Sequence, residues 1–333
     1  MDIKKVDKQL EKNQLSHKTD LKWIDCSKQP LINKAFNKGL SRIPSDVFIS
    51  ESVSLLSKHT SGFALHFITN STQIEIKAIV ANKSYMAHMS AIGQIGFDLY
   101  MKKGNRFVFV GTTKVDRLEY QVVLLDGLAG STQEYYLYFP LYIAVKRVCL
   151  GIDKNALYQA PTDKREKIIA YGTSITQGGC ATRPGMSYTN ILSRIVDYQV
   201  CNFGFSGSAH LEPAMAEVIN QTKSRIVILE VEANNTTDAL KEKLLPFINA
   251  LTAKHIILIS GFSHAHTLVF KSKEEEKAIN KAIHKSIPNV IFIDGEKVFE
   301  NLQHEETVDT THLTDLGFFH LALYLKEVVK GLK

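Results

Sequence analysis

The chain has 333 residues, which is long enough for two domains. Of these residues 44% are hydrophobic, an ordinary fraction for a protein with a sizeable core. Its net charge of +6 comes from lysines spread along the sequence, so the charge pattern does not indicate a nucleic-acid or membrane-surface protein. No apolar run approaches the roughly 18 residues of a membrane span, and the polar start lacks the apolar core of a secretory signal. The four cysteines show no paired spacing, so they indicate reduced thiols and a cytoplasmic location.

The first half of the chain is predicted to be an all-β domain. Residues 1 to about 45 form a polar leader that Trp23 and Ile24 could anchor, and strand follows strand from Val47 to about residue 152. Short strands at regular spacing, separated by turn signals, predict a β-sandwich. The polar stretch 159–166 predicts a boundary between domains at 1–160 and 161–333.

In the second half, strand-like and helix-like segments alternate. Strands are predicted at 167–171, 199–203, 225–231, 255–260 and 289–293. Helices are predicted at about 186–197, 212–221, 238–253, 272–285 and 315–332. This alternation predicts parallel βαβ units and a three-layer, flavodoxin-like sheet. In such a sheet the functional site lies beyond the carboxyl ends of the strands.

The first of these strands ends in a small-residue turn that presents a serine. Its sequence is Tyr-Gly-Thr-Ser-Ile-Thr-Gln-Gly, with the serine at position 174 and glycines at 172 and 178. A strand, a tight turn and a following helix display a nucleophile in many α/β enzymes. The same arrangement also suits a serine that only caps a helix.

Later strand ends add residues of complementary chemistry. The loop 201–208 is glycine-rich, and its N–H groups can point at an anion. Asn234 and Asn235 follow the third strand, where a side-chain amide can donate to a developing oxyanion or cap a helix. Asp309 lies three residues before His312, just ahead of the last helix. A carboxylate there can orient the imidazole as a base for the serine.

In order and spacing, these segments resemble the four sequence blocks of the SGNH (GDSL-type) hydrolases. The Gly-Thr-Ser-Ile-Thr-Gln-Gly-Gly-Cys-Ala start, the Asn-Phe-Gly-Phe-Ser-Gly loop and the Asp-x-x-His-Leu-Thr-Asp end are similar to a subgroup with an N-terminal β-sandwich. The segments 85–89 and 96–100 of the first half resemble the same subgroup. The resemblance extends from about residue 23 to the end of the chain.

This resemblance implies a role for each residue. Ser174 would be the nucleophile, and His312 would be the general base and then the acid for the leaving alcohol. Asp309 would orient His312. The oxyanion hole would consist of the N–H groups of Ser174 and Gly204 and the side chain of Asn234.

Two positions depart from the family pattern. Thr173 replaces the aspartate of the GDS form, which is not a catalytic group in the family. The third block reads Glu-Ala-Asn-Asn, so either Asn234 or Asn235 could be the oxyanion donor. The distance of Asn234 past the strand favours Asn234.

His264 and His266 follow the fourth strand and are candidate substrate contacts. No metal site is expected there, because no further ligand lies at a suitable spacing.

The sequence and the resemblance together predict a serine esterase without a cofactor. The resemblance implies a small-molecule or carbohydrate ester with a short acyl group as its partner, and O-acetyl groups on carbohydrates are the leading class. One alternative is a lipase, thioesterase or acyltransferase with the same triad. Another is a carbohydrate-binding protein with an inactive hydrolase domain, although the complete residue set argues against it. The oligomeric state is not indicated.

Overall fold

The computed structural model describes residues 17–37, 39–81, 86–262 and 273–332. In these ranges the first half consists mainly of antiparallel sheets, and the second half has a parallel sheet flanked by helices. Every helix in these ranges is too short or too polar to span a lipid bilayer. The predicted fold class, a β-sandwich followed by a three-layer α/β unit, is confirmed.

The sandwich consists of two sheets that share one apolar core. Its strands are β1 (Leu21–Asp25), β2 (Leu31–Ile32), β3 (Ala64–Thr69), β4 (Ile74–Val80), β5 (Asp98–Lys103), β6 (Arg106–Thr112), β7 (Glu119–Leu125), β8 (Gln133–Tyr138), β9 (Val145–Asp153) and β10 (Tyr158–Gln159). One sheet has the order β1-β9-β4-β7, and the other has the order β10-β3-β8-β5-β6 with β2 beside β3. Phe67 from one sheet and Ile76 and Leu150 from the other are fully buried in the core.

The predicted leader contributes a strand to this sandwich. β1 pairs antiparallel with β9, and Trp23 lies opposite Gly151. A Cβ atom on Gly151 would lie 2.7 Å from the indole ring, so the glycine leaves room for the tryptophan. Lys77 Nζ lies 4.0 Å from the ring centroid in a cation–π contact. Trp23 therefore holds the leader against the sheet.

Two short helices interrupt the region in which only strands were predicted. They are α1 (Glu51–Leu56) and α2 (Ala91–Ile95). Each follows a serine, Ser50 or Ser90, whose hydroxyl accepts a hydrogen bond from the N–H three residues further on. These capping serines are the local signal for both helices.

The second half contains a five-stranded parallel sheet with the order β12-β11-β13-β14-β15. Its strands are β11 (Lys167–Gly172), β12 (Gln199–Gly204), β13 (Ile226–Glu230), β14 (His255–Ile259) and β15 (Val290–Ile293). The helices are α3 (Ser174–Gln177), α4 (Tyr188–Ile195), α5 (Pro213–Gln221), α6 (Thr237–Ala250), α7 (Glu274–Ser286), α8 (Gly295–Val298) and α9 (Asp315–Lys330). The strand order reverses at β11, and ligand sites form at such reversals.

Helices cover both faces of this sheet because its strands are apolar on both sides. In β11, Ile169 and Tyr171 face the cluster that includes α5, α6 and α7. Ile168 and Ala170 face the cluster that includes α4 and α9. All four side chains are fully buried. The continuous apolar run of the sequence is thus explained by a strand buried on both faces.

A buried ion pair connects the sandwich to the segment that follows α3. Asp98 Oδ2 accepts hydrogen bonds from Arg183 Nη1 and from the Gly185 N–H, both at 2.9 Å. Arg183 Nη1 also donates to the Tyr100 hydroxyl, and its guanidinium lies 3.9 Å from the Phe109 ring centroid. Burial raises the pKa of Asp98, and the charge of Arg183 opposes that shift. The pair fixes the chain between α3 and α4.

Replacing Asp98 by alanine should lower the free energy of unfolding by about 3 kcal/mol, because the Arg183 cation loses its buried partner. Asp98→Asn is the matched control, since it retains an acceptor for the Gly185 N–H and should cost less. Urea unfolding followed by circular dichroism measures both values. Equal stability of Asp98→Ala and the wild type would contradict the role of this ion pair.

Candidate active site

The site is organised around the turn between β11 and α3. Gly172 ends the strand, and a Cβ atom there would collide with Thr176 Oγ1 and with the carbonyl of Glu230. The Thr173 hydroxyl caps α3 by accepting a hydrogen bond from the Ile175 N–H at 3.2 Å. Ser174 is therefore the first residue of a four-residue helix, at the carboxyl end of the sheet.

The structure brings together Ser174, His312 and Asp309. Ser174 Oγ lies 2.8 Å from His312 Nε2, and His312 Nδ1 lies 2.8 Å from Asp309 Oδ2. The backbone N–H of His312 donates to Asp309 Oδ1 at 2.7 Å. Partial burial opposes ionisation of Asp309, yet the hydrogen bonds from His312 hold its pKa below the usual value. The carboxylate thus faces the imidazole, which faces the hydroxyl.

A buried carboxyl group that sequence reasoning missed lies beneath the serine. Glu230 ends β13, and its Oε2 accepts hydrogen bonds from the N–H groups of Thr173 and Thr176 at 3.2 and 3.3 Å. The two threonine hydroxyls donate to the same oxygen at 2.8 and 3.0 Å. Burial raises the pKa of Glu230 to about 7. The feature of the sequence that could have revealed this buried carboxyl is a glutamate at the end of an apolar strand.

The sandwich also reaches the turn directly. The Tyr142 hydroxyl donates to the Ser174 carbonyl at 3.2 Å, and burial raises its pKa. Gln177 Nε2 lies 3.1 Å from His59 Nδ1, while Gln177 Oε1 accepts from the Ser206 N–H at 2.9 Å. Gln177 thus joins the serine turn, the sandwich and the loop after β12.

The N–H of Gly204, assigned to the oxyanion hole from the sequence, is occupied. It donates to Asn202 Oδ1 at 2.9 Å, and that oxygen also accepts from Arg42 Nη1 at 3.1 Å. A Cβ atom on Gly204 would collide with the backbone N of Gln177. In this structure Gly204 permits close packing of β12 against α3, and its N–H is engaged by Asn202.

Three other donors lie at the carboxyl edge of the sheet. Within the described ranges, the N–H groups of Ser174 and Gly207 have no acceptor. Gly207 has φ +64°, and a Cβ atom there would meet nothing within 4 Å, so its backbone is open to a ligand. Asn234 donates one side-chain hydrogen to the Ser208 carbonyl at 2.7 Å and retains a second.

Asn235, the alternative amide, has its side chain committed elsewhere. Its Nδ2 donates to the carbonyls of Ala209 and Val231 at 3.0 and 2.8 Å. Both hydrogens of the amide are then used within the protein. The geometry favours Asn234 over Asn235 as a donor to a ligand. His264 and His266, the candidate substrate contacts, lie outside the described residues.

Cys180 and His88 complete the surroundings of the imidazole. Cys180 is buried with φ +70°, and burial together with the Asp309 charge raises the pKa of its thiol to about 12. The exposed His88 has its ring centroid 5.3 Å from that of His312. The ligating atoms of His88, Cys180, Asp309 and His312 all lie within 4.8 Å of one another. These side chains have the chemistry to hold a metal ion.

Each half of the chain matches a model of a known protein family. Residues 165–330 match a model of the GDSL-like lipase/acylhydrolase family, and residues 21–158 match a model of the N-terminus of SGNH-hydrolase-type esterases. A GDSL-like lipase from Bacteroides ovatus ATCC 8483 is 28% identical, with a TM-score of 0.86 over 94% of this chain and 98% of its own. No curated protein sequence gives a significant match.

Two further solved structures share the two-part architecture. The salicylyl-acyltransferase SsfX3 from a tetracycline biosynthetic pathway is 17% identical, with a TM-score of 0.73 over 95% of this chain and 99% of its own. A family two carbohydrate esterase from Cellvibrio japonicus is 13% identical, with a TM-score of 0.58 over 94% of this chain and 98% of its own. At these identities the likeness concerns the fold.

The fold and the two matching models define an esterase or acylhydrolase. The chain belongs to the GDSL-like lipase/acylhydrolase family and carries the N-terminal part of SGNH-hydrolase-type esterases. The Gly-x-Asp-Leu-Tyr motif that labels this N-terminal part is residues 96–100 here. Its Asp98 and Tyr100 are the residues that hold Arg183.

Replacing Glu230 by glutamine should flatten the pH dependence of stability. The carboxyl has a pKa of about 7 when folded against 4.5 ordinarily, so the folded state binds more protons between these values. Its contribution is largest below about pH 4.5 and falls by about 3 kcal/mol as pH rises through 7. Glutamine keeps an oxygen for the two N–H groups and removes this titration.

Urea unfolding at about pH 5 and about pH 8 provides the measurement. Glu232 is also buried, with a pKa of about 7, so it leaves a residual slope in the Glu230→Gln variant. Glu232→Gln serves as the matched control and should leave the Glu230 part of the slope intact. An unchanged slope in Glu230→Gln would show that this carboxyl does not titrate in the folded protein.

Proposed function

We propose that the protein is a serine esterase that hydrolyses short-acyl esters, with O-acetyl groups on carbohydrates as the leading substrates. The observation that carries the proposal is the continuous hydrogen-bonded chain from Ser174 Oγ through His312 to Asp309. A serine hydroxyl is a weak nucleophile until a base removes its proton, and the base must be held in the right tautomer.

In the acylation step, His312 Nε2 accepts the proton of Ser174 Oγ while that oxygen attacks the ester carbonyl. Asp309 stabilises the imidazolium that forms and keeps its Nδ1–H in place. The tetrahedral intermediate collapses, the C–O bond to the alcohol breaks, and the imidazolium returns its proton to the departing alcohol. Water then attacks the acyl-enzyme with the same base, which releases the acid and restores Ser174.

The negative oxygen of the tetrahedral intermediate requires nearby donors. We assign this role to the N–H groups of Ser174 and Gly207 and to Asn234 Nδ2. All three have a hydrogen without an acceptor among the described residues, which supports the assignment. In this proposal Gly207 replaces Gly204, to which the resemblance assigned the role.

The substrate class is supported by the architecture. The family two carbohydrate esterase has a similar fold over 94% of this chain, and this likeness supports a carbohydrate ester as the substrate. We propose that residues 161–333 carry the chemistry and that residues 1–160 form a sandwich domain supporting the turn.

The four cysteines are free and buried, in agreement with a cytoplasmic location.

Acyl transfer is the second candidate function. The salicylyl-acyltransferase matches this chain with a TM-score of 0.73, above that of the carbohydrate esterase. Transfer would use the same acyl-enzyme, with an acceptor alcohol in place of water. Product analysis with an acetyl ester and excess sugar separates the two: free acetate supports hydrolysis, and an acetylated sugar supports transfer.

The variants Ser174→Ala and His312→Ala should each lose at least about a thousandfold in kcat/KM for p-nitrophenyl acetate, because each removes a member of the triad. A series of acyl chain lengths on the wild type should show highest turnover for the shortest chains. His284→Ala changes an exposed histidine in the last turn of α7, at the opposite edge of the sheet, and is the control that should retain activity. Unchanged turnover in Ser174→Ala would refute the nucleophile.

The two adjacent amides should behave differently. Asn234→Ala should lower kcat by about a hundredfold to a thousandfold with little change in KM, because an oxyanion donor acts mainly in the transition state. Asn235→Ala should lower stability and leave kcat near the wild-type value, because its amide bonds only to backbone carbonyls. Steady-state kinetics on folded samples measures kcat for both variants. A larger loss of kcat in Asn235→Ala than in Asn234→Ala would assign the oxyanion donor to Asn235.

A further inference from the structure

Four side chains with metal-ligating atoms converge on the imidazole of the triad. His88 comes from the segment before α2, and Cys180 comes from the turn after α3. Asp309 and His312 come from the segment that leads into α9. Their ligating atoms lie within 4.8 Å of one another, although three separate parts of the chain supply them.

The composition of the cluster matches the ligands that Zn²⁺ prefers. It provides one thiol, two imidazoles and one carboxylate, and Zn²⁺ is held at about 2.0 to 2.3 Å by such groups in tetrahedral sites. Ligand atoms in that geometry lie about 3.3 to 3.8 Å apart, so small side-chain movements would close the cluster around one ion. A thiolate and a carboxylate would together neutralise the two positive charges.

We propose that His88, Cys180, Asp309 and His312 form an inhibitory site for Zn²⁺. When the ion binds, the Cys180 thiol loses its proton to solvent and its sulfur forms a bond to the metal. Both ring nitrogens of His312 are already engaged, Nε2 with Ser174 and Nδ1 with Asp309. Coordination through either nitrogen breaks one of these contacts. The ion therefore competes with the proton transfer that activates the serine.

The position of the cysteine supports this site. Gly179 directly precedes Cys180, and a Cβ atom on Gly179 would lie 3.0 Å from His312 Cδ2. The turn after α3 thus lies against the imidazole. The His88 ring stands tilted by 41° to the His312 ring, at a centroid separation of 5.3 Å. No step of the proposed esterase mechanism uses His88 or Cys180.

Metal binding is tested independently of catalysis in the Ser174→Ala variant, whose four ligands are intact. Titration with Co²⁺ should give one ion per chain and a thiolate-to-cobalt charge-transfer absorption, and Zn²⁺ should displace the Co²⁺. Adding Cys180→Ala should remove the absorption, and adding His88→Ala should weaken binding at least about tenfold. Absence of the absorption in Ser174→Ala would overturn the site.

Inhibition is tested with the otherwise wild-type protein and p-nitrophenyl acetate, and this part depends on the proposed function. Zn²⁺ should reduce the rate, and a chelator should restore it. The inhibition constant for Zn²⁺ should be at least about tenfold higher in Cys180→Ala and in His88→Ala than in the wild type. Each constant is obtained from rates relative to the metal-free rate of the same variant. His284→Ala is the control and should be inhibited like the wild type.

The outcomes separate the two proposals. Equal inhibition of the wild type, Cys180→Ala and His88→Ala would show that the ion acts on the triad alone, and the four-residue site would be overturned. If the wild type hydrolyses no ester while Ser174→Ala binds Co²⁺ through Cys180, the metal site stands and the esterase proposal fails.

Discussion

The carboxyl group of Glu230 fixes the backbone on both sides of Ser174. It accepts hydrogen bonds from the N–H and hydroxyl groups of Thr173 and Thr176, so the serine between them is held in place. Because the carboxyl is buried at the end of β13, water does not compete for these bonds. The central sheet therefore sets the position of the hydroxyl, and His312 meets it at a fixed distance.

The sandwich takes part in building the site. Tyr142 holds the Ser174 carbonyl, and Gln177 links the serine turn to His59 and to the loop that carries Gly207. The Arg42 side chain is fully buried and donates to the Gly204 carbonyl at 2.5 Å. A donor that serves a transition state must be placed before the reaction begins. The contacts from the sandwich provide that placement for the loop after β12.

The parts that the sequence predicted depend on local patterns. The strand and helix periods, the small-residue turn and the Asp-x-x-His spacing are all short-range features, and they indicate the sheet and the neighbourhood of Ser174 and His312. The choice between Gly204 and Gly207 as an oxyanion donor is not visible in the sequence, because it depends on which N–H the side chain of Asn202 occupies. The approach of distant segments, as between His88 and Cys180, leaves no pattern in the sequence.

In the proposed mechanism Ser174 carries the acyl group during turnover, and this covalent intermediate can be trapped. The protein is mixed with p-nitrophenyl acetate, quenched with acid within the first turnovers, and analysed by intact mass and peptide mapping. We predict one acetyl group per chain, located on Ser174 and absent from Ser174→Ala. An acetyl group on another residue that forms and is lost at the rate of turnover would contradict the mechanism.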